Sequence, residues 1–510
     1  MLWMKTRTYK ELGFIASLLF YTASISVAED AVLPRIESAE CVSEQLRAAG
    51  ADCYLFFGEE NRDKPNGTLV KLPVAVIAPN TEAGNPDPLF FFPGGPGVTP
   101  MYDFSWIRAD AGNRTVVLID HRGMLHAKPS LACPGRTISP YQNHLSPVIV
   151  STLDTKERLR MHAETVENCY EKMVSEGIDV TRYNEYEISR DVEEIRQLLG
   201  YAKINIYGYS TGGGSIISYL RYFPNSVRTI VLGAPWFGEY RNRPAIDEFY
   251  TIKQSFTDIL GRCVSEDLRC RELIPDWYYE IDRARRMLDE KPFSTTIRNQ
   301  EGKSVTLTFD GVALMGRIYT DFEGIYTKLP NVLSRVQKQD YSALDEFFGT
   351  DQWQQVSIDD YDYYTQYGYY LAHICGDMGT NRPTKADVMA MLDREPALLA
   401  FEDNKICAWW GADGSVPPEH NTRFDSDVPG LSLHGEVDVC CTTRWGNYVA
   451  RTMPNLQVVE LSGLGHMLGW SAESEGECRV KLISSFLDNP MTKAEDDCMD
   501  DVPLGPWEFE

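Results

Sequence analysis

The stretch Ile206-Tyr-Gly-Tyr-Ser-Thr-Gly-Gly-Gly214 places one serine between glycines where an apolar run gives way to a helical pattern. Residues 204–207, Ile-Asn-Ile-Tyr, read as a buried strand. From Gly213 onward, Ile216, Leu220 and Phe223 fall on one helical face, and Pro224 ends it. Gly208-Tyr-Ser-Thr-Gly212 between them matches GxSxG, and strand–turn–helix is the context in which that motif forms a nucleophile elbow. The turn is tight and its serine backbone strained, so the residues two places either side must be small. Such a turn lifts the Ser210 hydroxyl clear of the sheet and aims the N–H of Thr211 at a developing oxyanion.

A serine hydroxyl is a weak nucleophile without a base. His466, in the glycine-flanked Ser462-Gly-Leu-Gly-His466, follows a strand pattern near the C-terminus and is the candidate. Asp438, after the apolar Leu431-Ser-Leu-His434 and the loop-opening Gly435, is the candidate acid. Its role would be to hold the imidazole tautomer and stabilise the imidazolium. Glu436 is the nearest rival, His434 reads as a packed strand histidine, and His121 as a residue behind the site. Phe91-Phe-Pro-Gly-Gly-Pro-Gly97 crowds glycines after a strand, where backbone N–H groups can approach a substrate. Gly95 is the expected second oxyanion donor. Activity should rise as His466 deprotonates, near the ordinary histidine value of about 6.5.

The net charge of −25 argues against nucleic acid as a partner, because phosphate contacts need clustered Lys and Arg. Lys5, Arg7 and Lys10 precede a short apolar run at 12–20, and Ser26-Val-Ala28 suits a cleavage site, so residues 1–28 read as a signal peptide. No stable membrane insertion is expected, and the destination is secretion or the periplasm. Twelve cysteines then read as disulfides. Short loops suggest Cys41–Cys53 and Cys263–Cys270; chain order suggests Cys133–Cys169, Cys375–Cys407 and Cys478–Cys498. Cys440 and Cys441 remain, as a vicinal disulfide, as partners of distant cysteines, or as buried thiols. No CxxC or HExxH occurs, so neither a metal nor another cofactor is expected.

Apolar runs at 72–78, 89–92, 115–119, 204–207 and 229–232 alternate with helical patterns such as 185–199, which predicts a mostly parallel sheet covered on both faces. Residues 237–424 are helix-like, aromatic and acidic, and strands resume at 430–434 and 456–461 before a helix at 479–487. The expected organisation is signal peptide 1–28, α/β core 29–236, helical cap insertion 237–424, and the rest of the core, with acid and histidine, at 425–510.

Pro93-Gly-Gly-Pro-Gly97, Asp120-His-Arg-Gly123, Pro129-Ser-Leu-Ala-Cys-Pro134, Gly208-Tyr-Ser-Thr-Gly212, Gly435-Glu-Val-Asp438, Gly465-His466 and Cys478 resemble secreted α/β-hydrolases of the tripeptidyl and prolyl aminopeptidase type. The usual histidine of the HGGPG loop is Pro93 here, and Val439-Cys-Cys-Thr442 departs from the usual acid loop. The resemblance implies a helical cap over a Ser210–Asp438–His466 triad and cleavage of short peptides from their N-termini. An esterase or amidase on small ester substrates would use the same triad, and a catalytically silent binding protein is the reading from another class. The acidic, tyrosine-rich insertion, with Asp359, Asp360, Asp362 and Asp377, offers cation-binding groups for a substrate amine.

Overall fold

The computed structural model describes residues 32–79, 81, 85–133, 154–236, 245–298, 302–350, 366–377, 382–400, 405–412, 416–469, 473–494 and 504–509. The expected signal peptide and Asp359, Asp360 and Asp362 lie outside them. The strands are β1 Arg35–Ser38, β2 Asp52–Glu59, β3 Leu69–Ile77, β4 Asn85–Phe92, β5 Arg114–Ile119, β6 Ile204–Tyr209, β7 Val227–Gly233, β8 Phe293–Arg298, β9 Ser304–Phe309, β10 Gly430–Gly435 and β11 Leu456–Leu461. Nine of these form one sheet in the order β1-β2-β3-β5-β4-β6-β7-β10-β11. β1, β2, β3 and β5 pair antiparallel, and every pairing from β5 through β4 to β11 is parallel.

Every residue of β6 and β10 is buried, as a parallel strand covered on both faces requires. Helix Glu185–Leu198 covers the sheet with Ile188, Val192 and Ile195, and the Asn184 side chain caps it by accepting the N–H of Glu187. Helix Gly212–Tyr222 leaves directly from the end of β6. Sequence pattern missed β1 and β2. Both lie toward the antiparallel edge: β1 has no buried residue and so a weak apolar signal, whereas β2 carries the apolar run Cys53-Tyr-Leu-Phe-Phe57, of which Phe56 and Phe57 are buried.

Between β7 and β10 a second core forms around Phe256, Leu260, Ile281, Phe309, Leu314 and Leu333. It is not wholly helical: β8 and β9 make an antiparallel hairpin, readable afterwards in the alternation of Ser304-Val-Thr-Leu-Thr-Phe309. Asp310 begins the helix Gly311–Ile325, accepting the N–H of Ala313, and both its oxygens accept from the buried Arg158 of helix Thr155–Ser175. Helix Tyr367–Asp377, by contrast, packs into the core around the sheet, as do Ile406, Cys407 and Trp410.

Disulfides join Cys41–Cys53, Cys133–Cys169, Cys263–Cys270 and Cys375–Cys407, as expected. Cys478 is also disulfide-bonded; its expected partner Cys498 lies outside the described residues. Among the described residues no helix is long and apolar enough to cross a membrane.

The Asp120-His-Arg-Gly123 motif supplies a buried brace. Arg122 is fully buried and donates to both oxygens of Asp191 at 2.7 Å, and to the carbonyls of Glu60 and Arg182 at 2.9 Å. Burial alone would raise the Asp191 carboxyl, but Arg122 and then Arg62 hold it below the usual carboxylate range. Arg122→Ala should therefore destabilise the fold by about 3 kcal/mol, read from urea unfolding, because it leaves the buried Asp191 carboxylate with Arg62 alone to offset its charge. Lysine should restore little, since it cannot reproduce the two-pronged contact.

Candidate active site

Ser210, Asp438, His466 and the Gly94-Gly95 loop all follow parallel strands (β6, β10, β11 and β4) at their C-terminal ends. The sheet collects them there because ligand sites in such sheets form beyond the carboxyl ends of the strands. Ser210 has φ 53, a left-handed conformation that a serine adopts only under constraint. Three backbone bonds impose it: Ser210 N–H donates to Gly233, and Trp236 and Gly213 N–H donate to the Ser210 carbonyl, all at 2.8–2.9 Å. The flanking glycines are sterically required. A Cβ on Gly208 would lie 2.6 Å from the Gly212 carbonyl oxygen, and one on Gly212 would lie 2.2 Å from that of Phe92.

His466 Nδ1 donates to Asp438 Oδ2 at 2.8 Å. The other carboxylate oxygen, Oδ1, accepts the N–H groups of Cys440 at 3.0 Å and Cys441 at 2.9 Å. Burial would raise Asp438, but His466 beside it keeps it below the usual range. Burial would lower His466, but Asp438 and then Glu323 outweigh that and hold it above the ordinary histidine value. The acid limb of a His466-dependent activity therefore lies higher than the about 6.5 of an ordinary histidine. The Tyr209 ring stands edge-on to the imidazole, 5.8 Å between centroids, and its hydroxyl donates to the His466 carbonyl. The neighbour of Ser210 thus positions the histidine loop.

Glu436, the rival acid, turns away: it accepts the N–H of Gly463 at 2.9 Å and pairs with Arg262. His434 is packed within β10, bonded to Ser432 and to the Cys441 carbonyl. His121 is buried against Phe92, and burial, followed by the neighbouring His373, pushes it down to about 4. Gly95 has φ 114, and its neighbour Gly94 lies closest to the elbow: a Cβ there would meet the Tyr209 carbonyl oxygen at 2.8 Å and Ser210 Cβ at 2.9 Å. Thr211 opens helix Gly212–Tyr222. Asp377, expected among the cation-binding groups, is instead buried, accepting the N–H of Glu185 at 2.9 Å.

Two features correct or extend the sequence reading. Cys440 and Cys441 do not form a vicinal disulfide; they are thiols with sulfurs 3.3 Å apart. Both their N–H groups bind one oxygen of Asp438, which sets the backbone of the turn without the strained ring that adjacent cysteines would close. Glu323, near the end of helix Gly311–Ile325, was missed altogether. Its carboxyl group lies against the histidine loop and occupies the space a Gly465 side chain would need, 2.2 Å from the position of a Cβ. No motif marks it, because the contact joins an insertion helix to a loop more than a hundred residues later.

The family model for the alpha/beta hydrolase fold matches residues 87–262, and the one for TAP-like protein matches residues 398–498. No curated protein matches the chain. Similar solved structures include a proline iminopeptidase-related protein from Thermus thermophilus (14% identity, 86% of this chain and 98% of that one, TM-score 0.36). A proline iminopeptidase from Mycobacterium smegmatis (13% identity, 82% and 95%, TM-score 0.34) and a thermophilic esterase from Thermogutta terrifontis (13% identity, 84% and 97%, TM-score 0.34) are others. With both matched segments on one sheet, the chain is an α/β-hydrolase by fold, and its C-terminal part matches the TAP-like family.

Proposed function

We propose that the protein is a serine hydrolase that removes short peptides from the N-termini of its substrates through an acyl-enzyme, with Ser210 as nucleophile, His466 as general base and acid, and Asp438 as the group that orients it. The observation that carries this reading is the 2.8 Å Asp438–His466 pair at the mouth of a strained, glycine-flanked serine turn. His466 takes the proton of Ser210 as the hydroxyl attacks the scissile carbonyl, then delivers it to the leaving amine. Thr211 and Gly95 are the proposed oxyanion donors. The segment between β7 and β10 is the proposed cap, and the disulfides fit a secreted or periplasmic destination.

Glu323 favours a peptidase over an esterase: an insertion carboxylate beside the catalytic histidine can meet a protonated substrate amine. N-acetylation of tripeptide anilides should then lower kcat/KM by about 30- to 1000-fold, equivalent to about 2–4 kcal/mol. Equal rates for free and acetylated substrates would move the reading to an esterase or amidase with the same triad.

Glu323 also bears on pH. Its negative charge favours the imidazolium of His466, and His466 must be neutral to act as a base. Glu323→Gln should therefore shift the acid limb of the kcat/KM profile to lower pH. Glu323→Ala, which removes the same charge, should shift the limb in the same direction. An unmoved acid limb in the glutamine variant would remove Glu323 from the electrostatics of the site.

A further inference from the structure

We propose that the protein binds one divalent transition-metal ion, Zn²⁺ by its donor set, at a buried site formed by Glu185, His373, Asp377 and His420. The four residues come from three elements: the first turn of helix Glu185–Leu198, helix Tyr367–Asp377, and the short 3₁₀ turn Pro418–Asn421. His373 and Asp377 are four apart on one helix, so both project from the same face. All four side chains are buried, and Glu185, His373 and Asp377 bring one ligand atom each within 4.8 Å of the others.

The spacing suits an ion better than direct hydrogen bonds. His373 Nε2 lies 3.3 Å from Glu185 Oε1 and 4.0 Å from Asp377 Oδ2. His420 Nε2 lies 3.3 Å from Asp377 Oδ1 and 3.8 Å from Glu185 Oε2. The hydrogen-bonded histidine–carboxylate pairs of the same molecule are shorter: 2.8 Å at His466–Asp438 and 2.7 Å at His126–Asp120. A tetrahedral ion with bonds of about 2.0–2.2 Å has ligand–ligand edges of about 3.3–3.6 Å. Of the four nitrogen–oxygen separations, which involve both oxygens of each carboxylate, two already have the length of such an edge and two exceed it by about 0.2–0.7 Å.

The surroundings orient the donors. The Tyr222 hydroxyl lies 3.2 Å from His420 Nδ1, which leaves Nε2 to face the carboxylates. Asn421 donates to the Asp377 carbonyl at 2.7 Å, and the Glu185 N–H donates to Asp377 Oδ1 at 2.9 Å. Two imidazoles and two carboxylates match a borderline ion such as Zn²⁺, and a dication offsets the charge of two buried carboxylates. Four protein ligands leave no open position, so the ion would be structural. It would tie the segment preceding β10 to the helix preceding the serine strand, and, through Tyr222, to the helix leaving the elbow.

The test is metal analysis of the tag-free full chain, dialysed against Zn²⁺ and then against metal-free buffer. One zinc per chain is expected, with Tm falling on treatment with a chelator and recovering with Zn²⁺. Co²⁺ loaded in its place should show the intense visible bands of tetrahedral coordination. Glu185→Gln, which keeps the shape of the side chain, should weaken Zn²⁺ binding about tenfold or more, and His420→Ala should abolish it. A folded wild-type protein that takes up neither Zn²⁺ nor Co²⁺ would show a plain ion-pair cluster and overturn the proposal. Full zinc content in a folded His420→Ala variant would overturn it too.

Discussion

Ser210→Ala is expected to lower kcat by about 10⁴ or more while KM changes little, because in the proposed mechanism the hydroxyl is the bond-forming group and adds little to ground-state binding. The φ of 53 at Ser210 is held by bonds to Gly233, Trp236 and Gly213, all made by backbone atoms, so alanine keeps the turn and the comparison isolates the chemistry. Steady-state rates on a tripeptide anilide and a p-nitrophenyl ester provide the measurement. Labelling by a fluorophosphonate provides the control: the wild-type protein should react and the variant should not. His466→Ala should give a loss of similar size. The double variant should be scarcely worse than either single one, since the two residues act as a unit. Near-normal turnover in Ser210→Ala would remove the serine from the mechanism.

Asp438→Asn should also lower kcat by about 10⁴, although it changes little in shape. Asp438 accepts from His466 through one oxygen and from the Cys440 and Cys441 N–H groups through the other. With asparagine, the amide oxygen can keep the two backbone bonds and present its NH₂ to the imidazole. That arrangement selects the tautomer with the proton on the nitrogen that should accept from Ser210, and it withdraws the charge that stabilises the imidazolium. The loss should be greatest at neutral pH. The remaining activity should have its acid limb at lower pH, because the carboxylate that raises His466 is gone. A variant with wild-type rate and an unmoved limb would point to another acid. Glu436 is a poor substitute, occupied as it is by Gly463 and Arg262.

The elements most easily read in the chain were those whose signal is local. Strand β6, the turn after it and helix Gly212–Tyr222 follow from one run of apolar and glycine residues, and their steric logic lies within the segment. Helix Glu185–Leu198 is legible for the same reason, with its apolar spacing and its asparagine cap. The parallel strands are continuous apolar runs because both of their faces are covered. Strand β1 carries no such run, β2 carries one in Cys53-Tyr-Leu-Phe-Phe57 that was overlooked, and the β8–β9 hairpin is hidden among the helices on either side of it.

Local chemistry and chain order identified Ser210, Asp438 and His466 as candidates, because a nucleophile elbow and glycine-bounded loops after strands are properties of short segments. What the loops do to one another depends on folding. The paired N–H groups that turn Cys440 and Cys441 onto Asp438 arise from backbone geometry that composition does not encode. Glu323 reaches the histidine loop only after a helix of the second core is brought beside it. Glu185, His373, Asp377 and His420 span more than two hundred residues, so no spacing rule links them; three elements packing together make them neighbours. Periodicity and steric necessity act over a few residues and can be read along the chain, whereas pairings between distant polar groups exist only once the core has closed around them.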